Sequence, residues 1–329
     1  MKRYLFLVFI FITITKAQSQ VVIDSYRDAN EMKNSTLYVV MNTESKDFRK
    51  INQEYIDVFK KYWTLGPVEI IEPREMLEHV DNKSFYMIPY IIYPARHPKF
   101  AKNYVLDFKF SLRIIRPSAD FINYVNSNPE NINNYRSQRT TDVVSIILRA
   151  NFHRKFKMDS IFENDFMGKS YMLNYGPGIL KNYLQEIQNT ISNEIKKDPL
   201  DSYFKADELS KLKTSTLYIP DVYVRNNSFR KDTSIINEFY HYNYKLISID
   251  DLNDLIIESD EPVYYLSSYL HPRNAAGVRD KINITNSYTG EIIYSDNVGT
   301  LFNLYFSTRL LIRLTREIEK GSIMKTNLH

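Results

Sequence analysis

The chain has 329 residues, with 43 Lys and Arg against 39 Asp and Glu, 8 glycines and no cysteine. The missing cysteine excludes disulfides, thiolate metal sites, cysteine nucleophiles and the lipid-carrying cysteine of a bacterial lipoprotein. The near balance of charge speaks against nucleic-acid binding, which calls for a basic domain or stripe.

Met1-Lys2-Arg3, the apolar run Tyr4–Ile14 and the small residues Ala17 and Ser19 describe a secretory leader. Residues 1–19 are therefore expected to be removed. The run is too short for a membrane span, which takes about 20 apolar residues. Charges interrupt every later apolar stretch, so no transmembrane segment is expected in the mature chain. The remainder is near neutral once Lys2, Arg3 and Lys16 leave with the leader. The expected compartment is the periplasm, the outer-membrane periphery or the medium.

Residues 35–40 read STLYVV and residues 215–220 read STLYIP. In the first copy, a strand over Thr36–Met41 leads into a helix over Phe48–Trp63, whose Ile51, Tyr55, Val58, Phe59 and Tyr62 form one stripe. A strand Val68–Ile71 and a short helix Pro73–Val80 follow, with proline at the first helical position. Phe85–Tyr93 reads as a long buried strand. Val105–Ile115 is a further strand, and residues 116–175 are expected as an insertion of copy one. A helix Gly178–Lys197 closes that copy.

The second copy repeats the order. Thr216–Ile219 is a strand, Ser234–Tyr244 a helix, Lys245–Ile249 a strand, Asp251–Ile257 a helix capped by Asp250, and Val263–Leu270 the long buried strand. Lys281–Asn286 and Glu291–Ser295 form a hairpin around Gly290, and Gly299–Lys320 is the closing helix. The pattern predicts α/β architecture by tandem duplication of a small α/β sandwich module: β-α-β-α-β, then a hairpin and a closing helix, with mixed sheets. The expected divisions are residues 20–198 and 213–329, joined by a linker over 198–212 and related by a pseudo-twofold axis. The order of elements resembles small α/β domains of bacterial envelope proteins, among them the amino-terminal domain of the Tol-system propeller protein. Tyr288–Tyr294 is similar to the hairpin of curli-secretion-type periplasmic lipoproteins, from which the chain departs in lacking the lipid cysteine.

In each copy the third strand runs towards Pro, His and Arg: Arg96 and His97 in one, His271 and Arg273 in the other. Loops beyond strand ends are where open α/β sheets bind ligands. Arginine offers a bidentate fork to carboxylate or phosphate, and neutral histidine a base or ligand. These four residues are the candidate ligand-binding set. Gly176-Pro177-Gly178 opens a helix, whose amides can hold an anion, but a structural turn is the simpler reading. The acids Asp250, Asp251 and Asp254 do not follow calcium-loop spacing, and the histidines form no metal-ligand pattern. Neither a metal nor a cofactor is expected. With no serine-hydrolase elbow present, the expected role is binding or assembly with an envelope protein, a glycan or a small anion. The alternative is a secreted hydrolase acting at the two His/Arg loops.

Overall fold

The computed structural model describes residues 20–41, 49–81, 83–92, 109–128, 138–148, 173–194, 203–225, 233–273, 277–297 and 308–326. The leader and Arg96 and His97 lie outside them. In chain order the elements are β1 (Val21–Ile23), α1 (Tyr26–Glu31), β2 (Leu37–Val40), α2 (Arg49–Tyr62), β3 (Val68–Ile71), a 3-10 helix (Pro73–His79), β4 (Phe85–Ile92), β5 (Lys109–Pro117), α3 (Ala119–Ser127), β6 (Thr140–Leu148) and α4 (Pro177–Ser192). The second half has β7 (Tyr203–Phe204), α5 (Ala206–Ser210), a 3-10 turn (Lys211–Lys213), β8 (Leu217–Pro220), α6 (Asp221–Arg225), α7 (Ile235–Phe239), β9 (Tyr244–Ile247), α8 (Ile249–Glu258), β10 (Tyr264–Arg273), β11 (Gly277–Asn286), β12 (Glu291–Asn297) and α9 (Thr308–Thr326).

Two six-stranded mixed sheets result, ordered β1-β6-β5-β4-β2-β3 and β7-β12-β11-β10-β8-β9. Every position in one has its counterpart in the other, as a tandem duplication requires. β2 pairs in parallel with β3 and β4, as β8 does with β9 and β10; the remaining pairs are antiparallel. Leu37 lies opposite Phe85 and Leu217 opposite Tyr264, so Phe85 and Tyr264 are equivalent. Both sheets also carry a bulge at one place, between Ile114 and Ile115 and between Ile284 and Thr285. The extra residues, Val143 and Ile293, turn their carbonyls to the chain leaving the edge strand. Ser25 N–H donates to Val143 O, and Lys205 N–H to Ile293 O at 2.9 Å. A bulge inserted once and copied accounts for both.

Several boundaries differ from the sequence reading. Residues 203–213, expected within or beside a linker, form β7, α5 and a 3-10 turn, and β7 pairs with β12. Strands of two or three residues, such as β7 and β1, are too short to show periodicity. β6 falls inside the supposed insertion, yet it holds the sheet position of β12. Copy one thus has a longer connection between β5 and β6, holding α3, in place of the four-residue turn Ser287–Gly290, and a longer one between β6 and α4. Finally, α7 stops at Phe239, because Tyr240 turns into the core and Tyr244 starts β9.

The modules stack face to back. Helices α1, α2 and α4 cover one face of the first sheet through Leu37, Val39, Phe85, Leu112 and Ile146. The matching face of the second sheet is covered by α5, α6, α7 and α9, through Leu209, Tyr223, Ile236, Leu311 and Leu314. Leu252 and Ile256 of α8, with Tyr265 of β10, join the first module's core instead. Helix α4 is therefore packed on both sides, and its residues 177–184 are all buried. Its outer side grips the β11–β12 turn: Asn182 donates to Ser287 O at 2.8 Å, Gln185 to Tyr288 O at 3.0 Å and Asn189 to Thr289 O at 3.4 Å. A pseudo-twofold axis would have α9 meet the first module as α4 meets the second. Helix α4 meets α8 and the β11–β12 turn, whereas α9 packs on α5 and α7 of its own module, so the modules are related head to tail.

Candidate functional site

The parallel strands β8 and β9 end at Pro220 and Ile247. The chain leaving β8 enters α6 and α7, whose Tyr223, Val224 and Ile236 pack with Leu217 and Ile219 on one face. The chain leaving β9 enters α8, whose Leu252 and Ile256 pack on the other face. Two neighbouring parallel strands with connections to opposite faces leave a crevice between them, the place where open α/β sheets bind ligands. Here it measures about 490 Å³ and is lined by Asp221, Val224, Thr233, Lys245, Leu246, Ile247, Ser248 and Asp251. That size suits a small molecule.

Its walls are fixed by local hydrogen bonds. Ser248 caps α8, its Oγ accepting from Asp251 N at 3.1 Å while its carbonyl accepts from Leu252 N at 3.0 Å. The cap is Ser248 and not the expected Asp250, which sits within the helix and is exposed. Thr233 is held over β9 by Tyr244, whose hydroxyl donates to the Thr233 carbonyl at 3.4 Å. The floor is apolar (Val224, Leu246, Ile247) and the rim offers two carboxylates, one ammonium and two hydroxyls.

The equivalent positions in module one are different. The register of β2 with β3 against β8 with β9 sets Glu69 at the place of Lys245 and Glu72 at that of Ser248. The lysine belongs to module two alone, so the two copies differ in charge at this place.

Of the sequence-derived set, Arg96 and His97 lie outside the described residues. His271 and Arg273 lie within β10, paired with Arg279 and Gly277 of β11, and so are part of a strand and not of a loop beyond it. β10 leads into an antiparallel hairpin, whereas β8 and β9 are neighbouring parallel strands whose connections run to opposite faces. Polar residues directly after two short apolar strands, Asp221 and Ser248, were the available signal. The start of α4 is no anion site: Asn253 Oδ1 accepts from Ile179 N at 3.0 Å, so that helix end is occupied from within. Among the described residues no cluster of His, Asp or Glu has metal-binding geometry, and no helix is long and apolar enough to cross a membrane.

Fold and crevice together define a double-module α/β protein with a switch-point pocket in its second module. No known family model matches the chain, and neither a curated protein nor a solved structure does.

Proposed function

We propose that this is an exported protein acting by binding, and that the crevice at the ends of β8 and β9 receives a small hydroxyl-rich ligand such as a sugar unit of an envelope glycan. The observation that carries this is the lining. Asp221 and Asp251 can each accept two hydroxyl hydrogens, Lys245, Thr233 and Ser248 can donate to ring and hydroxyl oxygens, and the apolar floor suits a sugar's C–H face. Export is supported by the leader-like pattern of residues 1–19.

Titration calorimetry with a panel of neutral, amino and acidic mono- and oligosaccharides tests the reading. At least one should bind, and Lys245→Ala or Asp251→Ala should weaken it about tenfold, the worth of one charge-assisted hydrogen bond. If no sugar binds, or if these variants bind as well as the parent, the assignment fails. Export is checked separately, by cell fractionation and amino-terminal sequencing of the recovered protein. Recovery from the cytoplasm with Met1 in place would refute it.

A further inference from the structure

Tyr240 and Tyr242 precede β9 and Tyr244 opens it, and the far end of that strand is a wall of the crevice. Tyr242, Tyr244 and Leu246 alternate along the chain and pack on the same core cluster, so their side chains share one face. Leu246 belongs to the crevice floor. Tyr244 reaches the rim, its hydroxyl donating to the carbonyl of Thr233 at 3.4 Å, and Thr233 is a lining residue. The row therefore starts inside the crevice and runs out of it along the strand towards Tyr242.

The two outer rings are held in place from below. Tyr240 is buried and meets Tyr242 at 5.7 Å and Tyr244 at 6.4 Å between ring centroids, edge to face in both cases. Tyr242 and Tyr244 themselves stay partly exposed. Preset aromatic surface at the mouth of a pocket is what a ligand longer than the pocket can use.

The first module shows that the fold does not call for these rings. Leu37 and Leu217 are equivalent, and they pair with Val68 and Tyr244. Two residues earlier stand Gly66 and Tyr242. A Cβ on Gly66 would collide with the Ser35 carbonyl oxygen, so module one fills this place with main chain and an aliphatic side chain. Module two presents two aromatic rings there, beside its crevice.

β9 is also the end strand of its sheet. Leu217 N–H donates to Asn243 O at 3.0 Å, which turns the Asn243 carbonyl towards β8. Alternation then sets the N–H and C=O groups of Tyr244 and Leu246 on the side away from β8. Backbone donors and acceptors thus run beside the aromatic row.

We infer that the crevice receives the end of a glycan chain and that Tyr244 and Tyr242 carry its next units, so that the ligand is an oligosaccharide and not a single sugar. This rests on the sugar reading of the crevice. A sugar lays its C–H face on an aromatic ring while its hydroxyls stay free to hydrogen-bond, and tyrosine offers an apolar body with a polar tip. Each ring so used raises affinity by up to about tenfold.

Titration calorimetry on homologous series tests this, with glucose, glucosamine and N-acetylglucosamine each compared with its linear oligomers up to the tetramer. For a sugar that binds, affinity should rise about tenfold or more on lengthening and then level off. The readout is that gain, the ratio of chain to single-unit affinity. Tyr242→Ala should reduce it several-fold. Tyr244→Phe and Tyr244→Val both release Thr233, but the first keeps the ring and should keep the gain, whereas the second should lose it. Module one folds with valine at this place, so Tyr244→Val should retain the parent's circular dichroism spectrum. Equal binding of single units and chains, or an undiminished gain in Tyr242→Ala and Tyr244→Val, would overturn the platform and leave the crevice reading standing. If no saccharide of any length binds, both fall.

Discussion

Arg113 and Asn283 hold the same position in the two sheets. Arg113 stands opposite Ile88 and Asn283 opposite Ser267, each two residues along from the equivalent pairs Tyr86–Ile115 and Tyr265–Thr285. In the first sheet the arginine reaches Asp142 and Ser111. In the second the asparagine is buried, and neither its Oδ1 nor its Nδ2 has a partner among the described residues. One copied position has thus become a surface ion pair in one module and a buried amide without a protein partner among the described residues in the other.

A buried amide left without a partner costs about 1–3 kcal/mol relative to an apolar group in its place. Asn283→Leu, which keeps the heavy-atom skeleton, should raise stability by about that much. The check is a higher urea midpoint with an unchanged slope. A lower midpoint would mean that the amide is satisfied in solution.

Gly178 sets the approach of α4 to α8. A Cβ there would come within 2.5 Å of the Asn253 carbonyl oxygen and 2.9 Å of its Cα, main-chain atoms that no side-chain rotation can move aside. Gly178→Ala should therefore cost about 1–3 kcal/mol, the usual penalty of overpacking. Since this contact joins the two modules, the loss should appear as a lower melting temperature of the whole chain, with no separate early transition.

Ser248→Ala removes the cap of α8 and should cost about 1 kcal/mol, with Ser248→Asp restoring most of it. The same residue lines the crevice, so the alanine variant should also bind a sugar ligand less tightly. If stability falls while affinity does not, the hydroxyl serves the helix alone.

Alkaline pH should unfold the protein through its tyrosines. Burial pushes the Tyr86 phenol up to about 12, and Tyr183, Tyr203, Tyr240, Tyr265, Tyr269 and Tyr294 are raised by the same cause. In the unfolded chain these groups lose their protons near pH 10. Above that pH the folded state holds more protons than the unfolded one, so stability falls as pH rises. Phenolate absorbance should show one fraction titrating near pH 10 and a second appearing only with loss of the circular dichroism signal. A single smooth titration with the fold intact would contradict this.

Much of the scaffold was legible because its strands are apolar runs of four residues or more. β3 falls on the expected Val68–Ile71, and β4 and β10 begin within a residue of expectation. The duplicated phrase was visible because it spans β2 and β8 and the turn before each. What escaped depends on partners far away in sequence. Asn182, Gln185 and Asn189 look like the wet side of an amphipathic helix, and nothing nearby tells that carbonyls about a hundred residues on will satisfy them. Lys181 is the sharpest case. It is buried with Nζ donating to Ile256 O at 3.1 Å, and burial lowers its pKa. The crevice escaped for a related reason: a switch point is a property of strand order, and only the folded sheet shows which strands are neighbours.

The three-carbonyl grip of α4 also bears on how the chain is made. The helix leaves the ribosome before the β11–β12 turn exists, and until that turn arrives its amides and Lys181 face water. The first half emerges as a template with one side unfinished, and the second half completes it as it folds. Duplication here has therefore not yielded two beads on a string. Synthesised apart, each half would lack a wall that the other supplies, and a proteolytic nick between them would leave the two pieces bound together.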